Sequence, residues 1–123
     1  LGVIKMMQRD YIALHTSIKK FVPVENIDFS HMYITIRDGD ELLTDTSDMF
    51  LLRQYTGLKD KKGNKIYEKD TVDIKSEKYD FLFLEEGENF VYFADGMFKV
   101  GKIPLSYINE KIEIEDRNKY WIG

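Results

Sequence analysis

The chain has 123 residues, with 18 Lys and Arg against 22 Asp and Glu, a formal net charge of -4, and no Cys. That balance excludes a strongly basic scaffold, and the lack of Cys excludes disulfides, thiolate nucleophiles and sulfur-ligated metals. Charged residues make up 33% and hydrophobic residues 43%, and no apolar run approaches the ~20 residues of a membrane span, so a soluble globular chain is expected.

Leu1 to Met7 is apolar but too short for a secretory leader, and Arg9 and Asp10 follow it at once, so a cytoplasmic location is the default expectation. Aromatic and β-branched residues then cluster in short runs separated by Gly, Asp, Asn and Ser, which predicts strands nearly throughout. Tyr11 to His15, Phe21 to Val24 and Met32 to Arg37 are the early strands. The last ends at Asp38-Gly39-Asp40, which is turn chemistry because Gly takes positive φ at little cost. Asp45 to Asp48 either caps one short helical turn or closes a loop, and Met49 to Thr56 is a further apolar run.

In the second half, Gln54 to Leu58 and Lys65 to Tyr67 flank a polar loop, Lys59 to Asn64, whose Gly and Asn suit a hairpin bulge. Thr71 to Lys75 alternates, placing Val72 and Ile74 on one side and Thr71, Asp73 and Lys75 on the other, the pattern of a half-buried strand. Tyr79 to Leu84 and Phe90 to Ala94, joined by Glu85 to Asn89, read as a central hairpin. Asp95-Gly96 is the strongest two-residue turn signal and leads into Met97 to Val100. Pro104 forbids a central strand across Gly101 to Ile108, where a short turn or 3₁₀ segment is expected, and Lys111 to Glu115 alternates again.

Short strands at this spacing, with a 3₁₀-like turn before the last, describe a small Src-homology-3-type (SH3-type) barrel. The fold class expected is therefore mainly β: an N-terminal β arm or subdomain over residues 1–53 and an SH3-type barrel over 54–123.

The stretch QYTGLKDKKGNKIYEKDTVDI, residues 54–74, resembles the hallmark of the YopX family of phage and prophage proteins, QYTGLKDKNGKEIYEGDIV. Val91 to Val100 resembles the family's strand, Asp-Gly turn and strand, and Lys19 to Phe29 is similar to its N-terminal element. The resemblance implies the same barrel and a bacterial host cell, but no activity for particular residues. Its start is Arg-Ala-Trp-Asp-like where this chain has Ile12 to His15, its ending is loosely echoed by Asp116 to Gly123, and its first Met aligns near Met7, so the resemblance implies that Leu1 to Met6 are an extension or not native, an expectation open to test by intact mass. Where the family has Glu-Gly-Asp, this chain has Glu68-Lys69-Asp70; a Lys69 at positive φ would cost on the order of 1 kcal/mol.

Catalytic signals are thin. His15 and His31 are the only histidines and lie in no metal-binding spacing, Asp38 to Glu41 lacks the alternating oxygen ligands of a calcium loop, and no Ser or Gly pattern marks a nucleophile or phosphate loop. The carboxylate pairs Glu85-Glu86 and Glu113/Glu115 fall in a turn or on an alternating strand, facing water, where acid–base chemistry is not expected. No catalytic, cofactor or metal site is expected, and the chain reads as a non-enzyme.

Two binding readings remain. Gly101 to Ile108 resembles the Gly-x-Ile-Pro-x-Asn-Tyr-Val turn of Src-homology-3 domains, and Phe90 falls near the position of their Trp. That resemblance implies Phe90, Pro104 and Tyr107 as a peptide-binding set. Alternatively, Lys59, Lys61, Lys62, Lys65 and Lys69 outnumber Asp60, Glu68 and Asp70, and with Tyr67 or Tyr55 as a stacking surface they would meet phosphates and bases. The overall acidity ranks nucleic acid second. The expected partner is a host or phage protein, or a second copy of the chain in a homo-oligomer, because open sheet edges pair readily.

Overall fold

The computed structural model describes residues 11–74 and 89–117. Its strands are β1 (Tyr11–His15), β2 (Val22–Asp28), β3 (Tyr33–Asp38), β4 (Glu41–Thr46), β5 (Phe50–Lys59), β6 (Lys65–Tyr67), β7 (Thr71–Ile74), β8 (Asn89–Ala94), β9 (Met97–Val100), β10 (Ile103–Pro104) and β11 (Ile112–Asp116). One short helix, α1 (Leu105–Ile108), and 3₁₀ turns at Ser47–Met49 and Asn109–Lys111 complete the described set. The protein is mainly β, as the patterning required. The chain divides into two units between Gln54 and Tyr55, inside β5.

In the first unit the strands lie in the order β4-β3-β2-β1-β5, all antiparallel. Ala13, Val22, Val24, Ile34, Ile36 and Phe50 form its core. His15 on β1 and Asp45 on β4 meet at 2.9 Å, although two strands separate them and a flat sheet would hold their backbones about 14 Å apart. The sheet is therefore curled. β4 was not foreseen: Glu41 to Thr46 carries no aromatic or β-branched run, and as an edge strand it places no residue in the fully buried class.

In the second unit the continuation of β5 pairs with β6, and a five-stranded antiparallel sheet runs β10-β9-β8-β7-β11. Ile66, Val72, Val91, Val100, Leu105, Ile108 and Ile112 form its core. The β8–β9 turn at Asp95-Gly96 holds both residues at positive φ, 54° and 76°, as a type I′ hairpin needs. Pro104 sits in the two-residue edge strand β10, where a missing N–H is tolerated. The side of β11 away from β7 is met by the β5–β6 loop: Lys61 N–H donates to the Ile112 carbonyl, and Ile114 N–H donates to Asp60.

One alternation fails. Thr71, assigned to the solvent side, has no exposed surface, and among the described residues its Oγ1 has no hydrogen-bond partner. Strand parity alone is a poor guide where a sheet is covered on both faces. The hairpin expected at Tyr79 to Leu84, and the pair Glu85-Glu86, lie outside the described residues.

Candidate functional site

Residues directly opposite one another in an antiparallel pair share a face. Lys99 on β9 lies opposite Tyr92 on β8 and opposite Pro104 on β10, and Phe90 is two residues before Tyr92. Phe90, Tyr92, Lys99 and Pro104 therefore line one face, while Val91, Val100 and Ile103 turn into the core on the other. Phe90 is 40% exposed and leans on Tyr92, the ring centroids 6.1 Å apart. The Tyr92 hydroxyl donates to the Gly101 carbonyl, tying the aromatic row to the turn before β10. Lys99 Nζ is fixed by Asp95 at 2.8 Å; the hydrogen bond between them raises the lysine above its usual range and lowers the aspartate.

Tyr107 reaches the surface differently. Leu105 and Ile108 at the two ends of α1 are fully buried, which anchors the helix and leaves Tyr107 74% exposed. Of the three residues proposed from the sequence, register places Phe90 and Pro104 on one face and leaves Tyr107 open on the adjoining helix. Tyr92 and Lys99 were missed, although parity from the buried Val91 places Tyr92 beside Phe90. The surface offers aromatic area, a proline edge and a pinned cation, features that an extended peptide can use.

The lysine-bearing hairpin is built from Asp60. Its Oδ1 accepts from the N–H groups of Lys62 and Asn64, both at 2.9 Å, and its Oδ2 accepts from Ile114 N–H at 3.1 Å. Burial pushes this carboxyl up, but the N–H groups of Ile114, Asn64 and Lys62 outweigh it, so Asp60 titrates below its ordinary value. The loop so formed holds Lys59, Lys61, Lys62, Lys65 and Lys69 exposed, with Lys59 directly opposite Lys65. Lys62 lies 3.6 Å from Glu113, and Lys65 sits over the Tyr55 ring at 5.1 Å.

Tyr67 does not serve as a stacking surface. It is 7% exposed, packed on Tyr55 at 5.6 Å and covered by the Arg117 guanidinium at 4.9 Å. Arg117 makes a two-pronged bond to the fully buried Asp70, at 3.0 and 3.2 Å, and Asp70 also accepts the Tyr67 N–H at 2.8 Å. Asp60 and Asp70, two of the three acidic residues set against these lysines, are both structural.

His15 lies between Ser17 and Asp45. The Ser17 N–H donates to Nδ1 at 3.0 Å and the Ser17 hydroxyl sits 2.6 Å from the same atom, so Nε2 carries the proton toward Asp45. The likeness to a Ser-His-Asp triad stops there: Ser17 N–H is spent on His15, and Ile18 N–H on the His15 carbonyl, so neither amide is left for an oxyanion. His31 belongs to an exposed turn with Asp28 and Ser30. Among the described residues no three His, Asp or Glu side chains gather as a metal ion requires, and no helix is long and apolar enough to cross a membrane.

A family model described as "YopX protein" matches residues 6–120. No curated protein matches the chain. Among solved structures, the crystal structure of protein EF1440 from Enterococcus faecalis is similar at 20% sequence identity, over 88% of this chain and 91% of that one, with a TM-score of 0.57. At that identity the likeness concerns the fold alone.

Proposed function

The chain belongs to the YopX family, and we propose that it is a phage or prophage protein that works by protein contact, without catalysis, in the bacterial cytoplasm. The second unit is read as a small SH3-type barrel: β7, β8 and β9 form a meander, α1 and its 3₁₀ turn follow, and β11 returns to pair with β7. On it, Phe90, Tyr92, Pro104 and Tyr107 grip an extended, proline-containing segment of a host or phage protein. The observation that carries this reading is the register, which aligns Tyr92, Lys99 and Pro104 across three strands with Phe90 exposed on the same face.

The test is an NMR titration with a panel of proline-rich peptides. Shifts should concentrate at Phe90, Tyr92 and Tyr107, and Tyr107→Ala should weaken them with the thermal midpoint unchanged, since that side chain is 74% exposed. A panel that leaves those resonances still sinks the proposal.

A second reading has one observation in its favour. Five exposed lysines share the Lys59–Lys69 segment, two of them directly opposite each other, an arrangement that a phosphate backbone would relieve. A shift of short DNA at low salt, lost steeply as salt rises and abolished by Lys61→Glu with Lys62→Glu, would establish it over the peptide reading.

A further inference from the structure

The edge strand β4, charged only at Glu41 and Asp45, carries few of the devices that keep sheet edges apart. It carries no Pro and no Lys, and its register with β3 runs through all six residue pairs without a bulge. The Gly39-Asp40 turn makes Asp38 and Glu41 the closing pair of a two-residue hairpin, so Glu41, Leu43 and Asp45 aim their backbone groups at β3 while Leu42, Thr44 and Thr46 aim theirs outward. These three residues are exposed, Leu42 by 55%. Thr46 N–H is already held by Asp45 at 2.8 Å. The Leu42 and Thr44 amides, and the carbonyls beside them, face solvent.

We infer that β4 is a self-pairing edge: a second copy of the chain adds its own β4 antiparallel to this one, about a two-fold axis through Thr44. Self-complementarity selects that partner and that register. Outward-facing residues must meet outward-facing residues, which leaves few two-fold registers. Centring on Leu43 sets Glu41 against Asp45 of the other copy, and centring on Asp45 sets that carboxylate against itself, whereas like charges directly opposite are unfavourable. Centring on Leu42 shortens the overlap. Centring on Thr44 places Leu42 against Thr46, Leu43 against Asp45 and Thr44 against itself, with no like charges opposed within the strand. Thr44 then exchanges both backbone bonds with its symmetry mate, and each Leu42 N–H donates to the other Thr46 carbonyl. The Thr35–Thr44 hydroxyl pair, at 2.7 Å, becomes half of a threonine ladder crossing the axis, an isologous contact of the kind closed dimers use. The surface is separate from the β8–β10 face and stands whether or not that face binds a peptide.

Sedimentation from ~10 μM to ~1 mM, the range in which modest interfaces assemble, together with residue-resolved amide exchange, tests the inference. The expected result is a monomer–dimer equilibrium in which Leu42 and Thr44 amides slow as dimer forms. Thr44→Pro removes the outward donor and leaves the bonds to β3 in place, so the variant should stay monomeric with the β3 amides still protected. Should that variant not fold, Thr44→Lys sets two ammonium groups face to face at the axis and should raise the dissociation constant at least tenfold, less so at high salt. A monomer throughout the range overturns self-pairing and leaves the edge to a foreign strand. A dimer that Thr44→Lys does not weaken, or whose protection falls elsewhere, overturns it as well.

Discussion

Across the curled sheet of the first unit, a long-range polar contact joins a buried histidine to a half-exposed carboxylate, with side-chain exposures of 7% and 37%. The second unit assigns that role to carboxylates that water barely reaches: Asp60 is 5% exposed and Asp70 not at all. The difference follows from backbone regularity. In the first unit β1 pairs with β5, and β3 with β4, in continuous registers that consume their own N–H groups. The second unit buries irregular backbone, a loop set against β11 and a tight β6–β7 turn, whose amides have no ladder to join. A carboxylate with several acceptor positions completes them.

That contrast breaks most visibly at Asp70. Asp70→Ala would take the buried acceptor from the Arg117 guanidinium and the Tyr67 amide; removing one partner of a buried pair costs about 3–5 kcal/mol, and with Arg117 31% exposed the lower end, about 3 kcal/mol, is expected. Chemical denaturation should show the loss directly. Amide exchange should place it: Val72, Val91 and Val100 should lose protection while Ile34 and Ile36 keep theirs. Equal loss in both cores would show one cooperative structure and remove the distinction between the units.

Asp60 gives a smaller effect and a pH signature. Asp60→Asn should cost about 1.5–3 kcal/mol, the range for hydrogen bonds to a charged acceptor, because an amide NH₂ would be turned on one of the three N–H donors. In the wild type the folded-state value is depressed below 3.8, so the unfolded chain binds the proton more readily. Stability from this group is complete above ~4 and lost as pH falls through the lowered value. Asp45 in the first unit is also lowered, chiefly by its hydrogen bond to His15, but its exposure weakens the linkage. An acid-unfolding profile should therefore be shallower in Asp60→Asn than in the wild type, and identical profiles would refute the role given to Asp60.

These residues also mark where the sequence stopped being legible. Local rules succeeded: the bounds of β1 and β6 matched, and Asp95-Gly96 formed its hairpin, because turn chemistry and short-range alternation decide them. β4 escaped because one strand neighbour and little burial leave a weak pattern. Asp60 and Asp70 entered only as charges set against the lysines, since their partners Ile114 and Arg117 lie 54 and 47 residues away. Of the candidate face, Phe90, Pro104 and Tyr107 were visible through motif likeness. Tyr92 and Lys99 needed the β8–β9–β10 register, which no single strand encodes.

The smallest effect lies in the turn between β6 and β7. Lys69 has φ 66°, the left-handed region that a side chain enters at a cost of about 1–2 kcal/mol and glycine enters freely. The turn holds it there: Lys69 N–H donates to the Val91 carbonyl at 2.6 Å, while Asp70 N–H donates to the Tyr67 carbonyl at 3.1 Å. Strain sits beside the buried Asp70, so the second unit tolerates a conformation that its carboxylate enforces. Lys69→Gly relieves the side-chain strain but widens the unfolded ensemble, and the two terms leave an expected gain of about 0.5–1 kcal/mol. Thermal and urea denaturation of the single variant should show that increase. Lys69→Ala, which removes the charge and keeps the Cβ, should show none; an equal gain from alanine would trace the effect to charge and not to backbone.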